Sequence, residues 1–76
     1  MNLGELERKL SDANVPPDAY CLTGGLPNEA LCIEQRKDGT WRTYYSERGG
    51  RSNPRVFNTE GEACEFFLKE ILRWDI

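Results

Sequence analysis

Lys37-Asp38-Gly39-Thr40 stands between two strand-like runs, residues 30–36 and 41–45, the second alternating Trp41, Thr43 and Tyr45 with Arg42 and Tyr44. An Asp-Gly pair flanked in this way is a strong short-range hairpin signal. The length of its loop then decides the face of every side chain in both strands, because a slip of one residue turns a whole strand over. A two-residue Asp38-Gly39 turn would set Ile33 opposite Tyr44 and Arg36 opposite Trp41. A three-residue loop, with Gly39 as a left-handed bulge residue, sets Ile33 opposite Thr43 and Leu31 opposite Tyr45. Only the second gathers Leu31, Ile33, Trp41 and Tyr45 on one face, so it is the register expected. Arg42 and Tyr44 then point away from the core, where Tyr44 is available to a partner.

The remaining elements follow from periodicity and caps. Leu3, Leu6 and Leu10 form one apolar stripe, which predicts a helix over residues 2–13, with Asn2 capping it and Glu5 completing a box-like pattern. Pro16-Pro17 ends that helix, since neither residue can donate to a continuing turn. Residues 18–23 read as a first strand, with Tyr20 and Leu22 on one face. Residues 24–28, Gly-Gly-Leu-Pro-Asn, read as a turn or loop in which the glycines supply positive φ or admit another backbone, the turn being the expected role. Residues 46–54, rich in polar residues, glycine and proline, are expected to carry no regular structure. Arg55-Val56-Phe57 then forms a short fourth strand. Thr59 and Glu62 make a capping box for a helix over residues 60–73. Ala63, Cys64, Phe67, Leu68, Ile71 and Trp74 share its apolar arc. Phe66 lies at the edge of the charged arc and is expected against the first helix. The fold expected is α+β and occupies residues 1–76 as a single domain: a short N-terminal helix, a four-stranded antiparallel β-meander, and a C-terminal amphipathic helix, both helices packed on one face.

Charge and cysteine usage narrow the function classes. A net charge of −3 and a pI near 4.9 argue against nucleic-acid binding, which needs a basic stripe to release phosphate counterions. No apolar run is long enough to span a bilayer, and the amino terminus lacks a basic region followed by an apolar one, so neither a membrane partner nor a secretory signal is expected. Cys21, Cys32 and Cys64 are odd in number and widely spaced, as suits buried free thiols in the cytoplasm. Histidine is absent, which removes the usual catalytic triads and most zinc sites. No glycine-rich phosphate loop is present, since neither glycine pair is followed by Lys and Ser or Thr. Cys64 at a helix start could be an activated thiol, but its place on the apolar arc makes burial the expected role. Glu60 and Glu62 are accounted for by capping. The expectation is a non-enzymatic binding module without metal or cofactor.

The candidate binding residues cluster. Arg42, Tyr44, Ser46, Glu47, Arg48, Gly49, Gly50 and Arg51 lie on one strand and its loop, with Gly24 and Gly25 as a flanking loop, and Tyr and Arg are types that dominate interface energetics. Several stretches are also informative together: Pro16-Pro17-Asp18-Ala19-Tyr20, residues 24–30, Gly39-x-Trp41, Tyr44-Tyr45-Ser46-Glu47-Arg48-Gly49, Phe57 and residues 62–66. From Pro16 onward this pattern resembles a family of small bacterial immunity proteins encoded beside interbacterial toxins that carry a necrotizing-toxin-type (TNT) NAD⁺-glycohydrolase domain. Tyr-Tyr-Ser-Glu-Arg-Gly is its most specific part; the doubled Gly49-Gly50, with the arginine delayed to Arg51, departs from it. The resemblance implies a cytoplasmic protein that binds its cognate toxin domain one to one and blocks hydrolysis of NAD⁺ to nicotinamide and ADP-ribose. Tyr44 and Arg48 are the expected anchors, and Glu47 the residue reaching the toxin's active-site mouth. A small regulatory or adaptor domain is the alternative class.

Overall fold

The structure, a computed structural model, describes residues 1–25 and 29–73. Helix α1 (Leu3–Asp12) begins where the Asn2 side-chain oxygen accepts the Glu5 amide at 2.9 Å, and it turns Leu6 and Leu10 fully inward. It ends at Asn14, whose φ of 60° is the left-handed geometry asparagine tolerates at such a stop. Pro17–Ala19 form a single 3₁₀ turn, closed by the Ala19 amide on the Pro16 carbonyl at 2.9 Å. The first strand, expected over residues 18–23, is therefore only β1 (Tyr20–Cys21). The two prolines preset the turn geometry and take up the residues before it.

Strand β1 runs parallel to β2 (Ala30–Gln35), pairing Tyr20 with Leu31 and Cys21 with Cys32, which corrects the expected all-antiparallel meander. Strand β3 (Trp41–Glu47) pairs antiparallel with β2 in the expected register, Ile33 opposite Thr43 and Leu31 opposite Tyr45. The Arg36 amide donates to the Thr40 carbonyl at 2.7 Å and Gly39 has φ 90°, so the loop holds three residues with glycine in the left-handed place. The Asp38 carboxylate accepts both the Thr40 hydroxyl and its amide, which holds its pKa below the usual range.

The largest departure from expectation follows β3. Residues 46–54 are not an irregular loop: β3 continues to Glu47 and β4 (Gly50–Phe57) starts three residues later, joined by a tight turn at Arg48-Gly49. Both turn residues have positive φ, 50° and 76°, as the turn that suits a right-twisted hairpin requires. The register shifts between Thr43 and Tyr45, so that Asn53 and Pro54 together face Tyr44 in a β-bulge, with Asn53 at φ 50°. A bulge on an edge strand is where a proline fits a sheet. Polar sequence did not prevent a strand because β4 is the sheet edge, in the order β1-β2-β3-β4, and needs no buried face throughout.

Helix α2 (Glu60–Arg73) opens on the expected cap, the Glu62 amide donating to the Thr59 hydroxyl oxygen at 3.2 Å. The Glu62 carboxylate accepts the Thr59 hydroxyl rather than reaching its backbone. Glu60 accepts the Leu3 amide at 2.9 Å and so caps α1 from the other end of the chain. α2 lies on β2, β3 and β4, and α1 packs on α2. Leu6, Leu10, Val15, Leu31, Ile33, Ala63, Cys64, Phe67 and Ile71 form the core between the helices and the sheet. Phe66 does not meet α1: its ring lies 5.2 Å from that of Phe57 on β4. Trp74 and residues 26–28 of the expected loop lie outside the described residues.

All three thiols are free; Cys32 and Cys64 are fully buried, whereas Cys21 is half-buried. Burial pushes the Cys32 and Cys64 thiols from 9.0 up to about 11. Above pH 9 the unfolded chain therefore releases protons that the folded chain retains, so their contribution is complete below pH 9 and lost as pH rises through about 11. Urea midpoints should stay level up to pH 9 and fall beyond it, more shallowly in a Cys32→Ala/Cys64→Ala variant. An unchanged slope in that variant would assign the alkaline loss to other groups.

Candidate functional site

The face of the sheet turned away from the helices is organised by Tyr44. Alternation along β3 sends this residue to the far side from Thr43 and Tyr45, as the register requires. It is not available there. Only 1% of it is exposed, and its hydroxyl donates to the Gly25 carbonyl at 2.5 Å. The Arg42 and Arg51 guanidiniums stand 5.4 and 5.0 Å from its ring centre, within cation–π range. Burial, with the neighbouring Cys32 thiol adding to it, pushes the Tyr44 phenol up to about 12, so it stays a neutral donor at any physiological pH. The expectation of an accessible Tyr44 anchor is thus corrected: a phenol is too large and too apolar to leave bare when a backbone carbonyl can cover its one polar atom.

The covering segment explains the paired glycines. Gly24 and Gly25 both have positive φ, 79° and 89°, and Gly24 also sits against Glu34. A Cβ at Gly24 would fall 2.7 Å from the Glu34 carboxylate oxygen and 3.1 Å from its Cβ, whereas one at Gly25 would meet nothing within 4 Å. Both roles open to these glycines, turn geometry and close approach, are present at Gly24. The Cys21 thiol donates to the Gly24 carbonyl at 3.1 Å and ties the segment to β1. Glu34 in turn forms an ion pair with Arg42. This face is a second, smaller packed layer, holding Ala30, Cys32, Tyr44 and Ser46 each at 1% exposure or less.

The nominated binding residues therefore divide. Tyr44, Ser46 and Gly24 are buried, and Arg42 is half-buried and engaged with Glu34. Glu47, Arg48, Gly49, Gly50, Arg51 and Gly25 are exposed. The exposed members other than Gly25 are contiguous and form the tip of the β3–β4 hairpin. Across that tip the Ser52 hydroxyl donates to the Glu47 carboxylate at 3.2 Å, and Arg51 is steadied on the Tyr44 ring. The tip is thus tied down by side-chain contacts although its residues are polar.

A groove of about 570 Å³ on the helix side was not legible in the sequence. It runs between α2 and the β3–β4 hairpin and is lined by Leu31, Tyr45, Ser52, Arg55, Phe66 and Glu70, among others. Arg55 lies 5.4 Å over the Phe66 ring, which turns that ring toward β4 and forms one wall. The signal that could have found it is Arg55 and Phe57 sharing a face of β4 opposite a helix-edge aromatic. Among the described residues no cluster of potential metal ligands occurs, and no helix is long and apolar enough to cross a membrane. The buried thiols and the phenol of Tyr44 are all shifted toward their neutral forms, the reverse of nucleophile activation. No family model, curated protein or solved structure matches this chain.

Truncating Tyr44 to Ala should destabilise the protein by about 3–5 kcal/mol, the range for a buried aromatic, while Tyr44→Phe removes only the hydroxyl, with its bond to the Gly25 carbonyl and its longer one to the Glu34 carboxylate at 3.4 Å, worth about 1 kcal/mol. Gly24→Ala should be clearly more harmful than Gly25→Ala, because strain is common to both and the Glu34 clash belongs to one. Chemical denaturation of the four variants checks this; equal effects at the two glycines would remove the close approach from the account.

Proposed function

We propose that this chain is an immunity protein that binds a TNT-type NAD⁺-glycohydrolase toxin domain, one to one, and blocks its active site with the tip of the β3–β4 hairpin. One observation carries the reading. The residues most specific to the resemblance, Tyr44 to Gly49, are the ones that build this tip: Tyr44 and Ser46 anchor it inside, while Glu47, Arg48 and Gly49 are exposed. A tight turn on two paired strands is a rigid probe, and rigid elements lose little entropy on binding. The role expected of Tyr44 shifts accordingly, from contact residue to support. Arg48 and Arg51 supply cations to the partner, and Glu47 a carboxylate for a toxin cation near the phosphate-binding part of the NAD⁺ site.

Area is consistent with such an interface. A standard complex takes about 800 Å² from each partner, against a total surface of 5004 Å² here. The hairpin tip cannot supply all of that, and the exposed Gly25 segment and the outer face of β4 adjoin it. Blocking works by exclusion: with the mouth of the site occupied, NAD⁺ cannot enter, and the N-glycosidic bond to nicotinamide is not hydrolysed. No cofactor is required of the inhibitor, and the proposed compartment is the cytoplasm, where the toxin would act.

The test is co-expression with a cognate TNT-type toxin domain. A Glu47→Ala/Arg48→Ala variant should keep the wild-type melting temperature, bind at least about thirtyfold more weakly, a loss of about 2 kcal/mol, and fail to hold cellular NAD⁺. Full protection at wild-type affinity would move the interface off the hairpin. Failure of the wild-type protein to bind or protect would remove the immunity reading itself.

A further inference from the structure

We infer that the outer edge of β4 accepts a short acidic β-strand from a partner protein. β4 is the last strand of the sheet, and no described element pairs with its outer side. An edge strand leaves a row of unpaired amides and carbonyls, a ready template for another strand. Nearly all of β4 is exposed, and Val56 is 52% exposed although it is apolar. Pro54 and the bulge at Asn53 interrupt this edge in the middle but cover neither end of it.

Charge selects the occupant. Residues 41–57 hold four arginines and one acid, a local balance of +3 in a chain of net −3. Arg48, Arg51 and Arg55 pair with no carboxylate among the described residues. They are also distributed in an informative way. Arg51 lies over the Tyr44 ring, on the face away from the helices, and Arg55 lies over the Phe66 ring of α2, on the helix face. One edge thus carries a cation above the sheet and a cation below it, with Arg48 at the end. Successive side chains of a strand point to opposite faces. A strand laid along β4 with acidic residues at neighbouring positions therefore offers a carboxylate to each arginine while its backbone completes the ladder. A second copy of this chain does not fit, since two such edges would bring their arginines together. Nucleic acid is the other polyanion, but its phosphates cannot satisfy the strand's backbone, and the chain as a whole is acidic.

This inference does not depend on the toxin reading, and its test uses different probes. Isotope-labelled full-length protein is titrated with a short synthetic peptide of alternating glutamate pairs and valine pairs, which turns a carboxylate to each face, and the amide shifts are followed by NMR. Shifts confined to residues 50–57 and their β3 partners are expected. Binding should weaken at least about tenfold in an Arg51→Glu/Arg55→Glu variant and as salt is raised. A Lys69→Glu change on α2 should leave it within about twofold, the noise of an uninvolved rim charge. The same peptide N-methylated at alternate residues should not bind, because its ladder edge is blocked. The inference is overturned if the peptide causes no shifts at β4 or shifts scattered over the chain. It is equally overturned if the charge-reversed variant or the methylated peptide binds as well as the parent pair. Oligothymidylate binding as tightly as the peptide would make the edge a general polyanion surface instead.

Discussion

The hydrogen bond from the Tyr44 hydroxyl to the Gly25 carbonyl is the contact on which the far side of this protein depends. A four-stranded sheet with helices on one face leaves its other face to water. Here part of that face is closed by residues 22–25, which belong to neither helix nor strand, and so short a stretch buries little surface. A phenol solves the problem because it is both the largest apolar body on the face and a donor that the covering backbone can accept. The glycines make the approach possible, Cys21 fastens the segment to β1, and the Glu34–Arg42 pair lies beside it. Removing the phenol would leave the Gly25 carbonyl without its donor and the Arg42 and Arg51 guanidiniums without their ring.

This arrangement also links the covering segment to the hairpin tip. Arg51 stacks on the ring that the segment holds down, and the bulge at Asn53-Pro54 is opposite the same residue. A bulge sharpens the twist of its strand, so the direction in which Arg48 and Glu47 project is set by where Tyr44 is packed. The exposed residues proposed to meet a partner are thereby positioned by buried ones. This is why the stretch from Tyr44 to Gly49 mixes buried and exposed side chains.

Much of the fold was legible because burial imposes periodicity. Asn2, Leu6 and Leu10 predicted α1; Thr59, Glu62 and the arc from Ala63 to Ile71 predicted α2; and the segregation of Leu31, Ile33, Trp41 and Tyr45 chose the hairpin loop correctly. What was misread lacked that imprint. β1 is too short to show alternation, so its parallel sense was invisible. β4 is an edge strand, whose exposed polar residues look like a loop, and Arg48 and Asn53 adopt positive φ without being glycine. The face of Tyr44 was readable from the register, but its cover was not, since an irregular segment leaves no period to read. The exposed tip was recovered only in part: Glu47 to Arg51 are exposed as expected, and only the pairing shows them to be strand ends and a tight turn.

The carboxylate of Glu60 gives α1 a partner of an unusual kind. Asn2 caps the helix across three residues, and that bond could form in an isolated peptide. Glu60 meets the Leu3 amide across a sequence separation of 57 residues. Closing a loop of that size costs about 2–3 kcal/mol more chain entropy than closing the local one, so the contact exists only once the rest of the chain has brought the two helices together. The local cap favours the helix; the distant one favours the fold. Through it, the amino-terminal segment becomes a reporter of tertiary structure rather than of its own helical propensity.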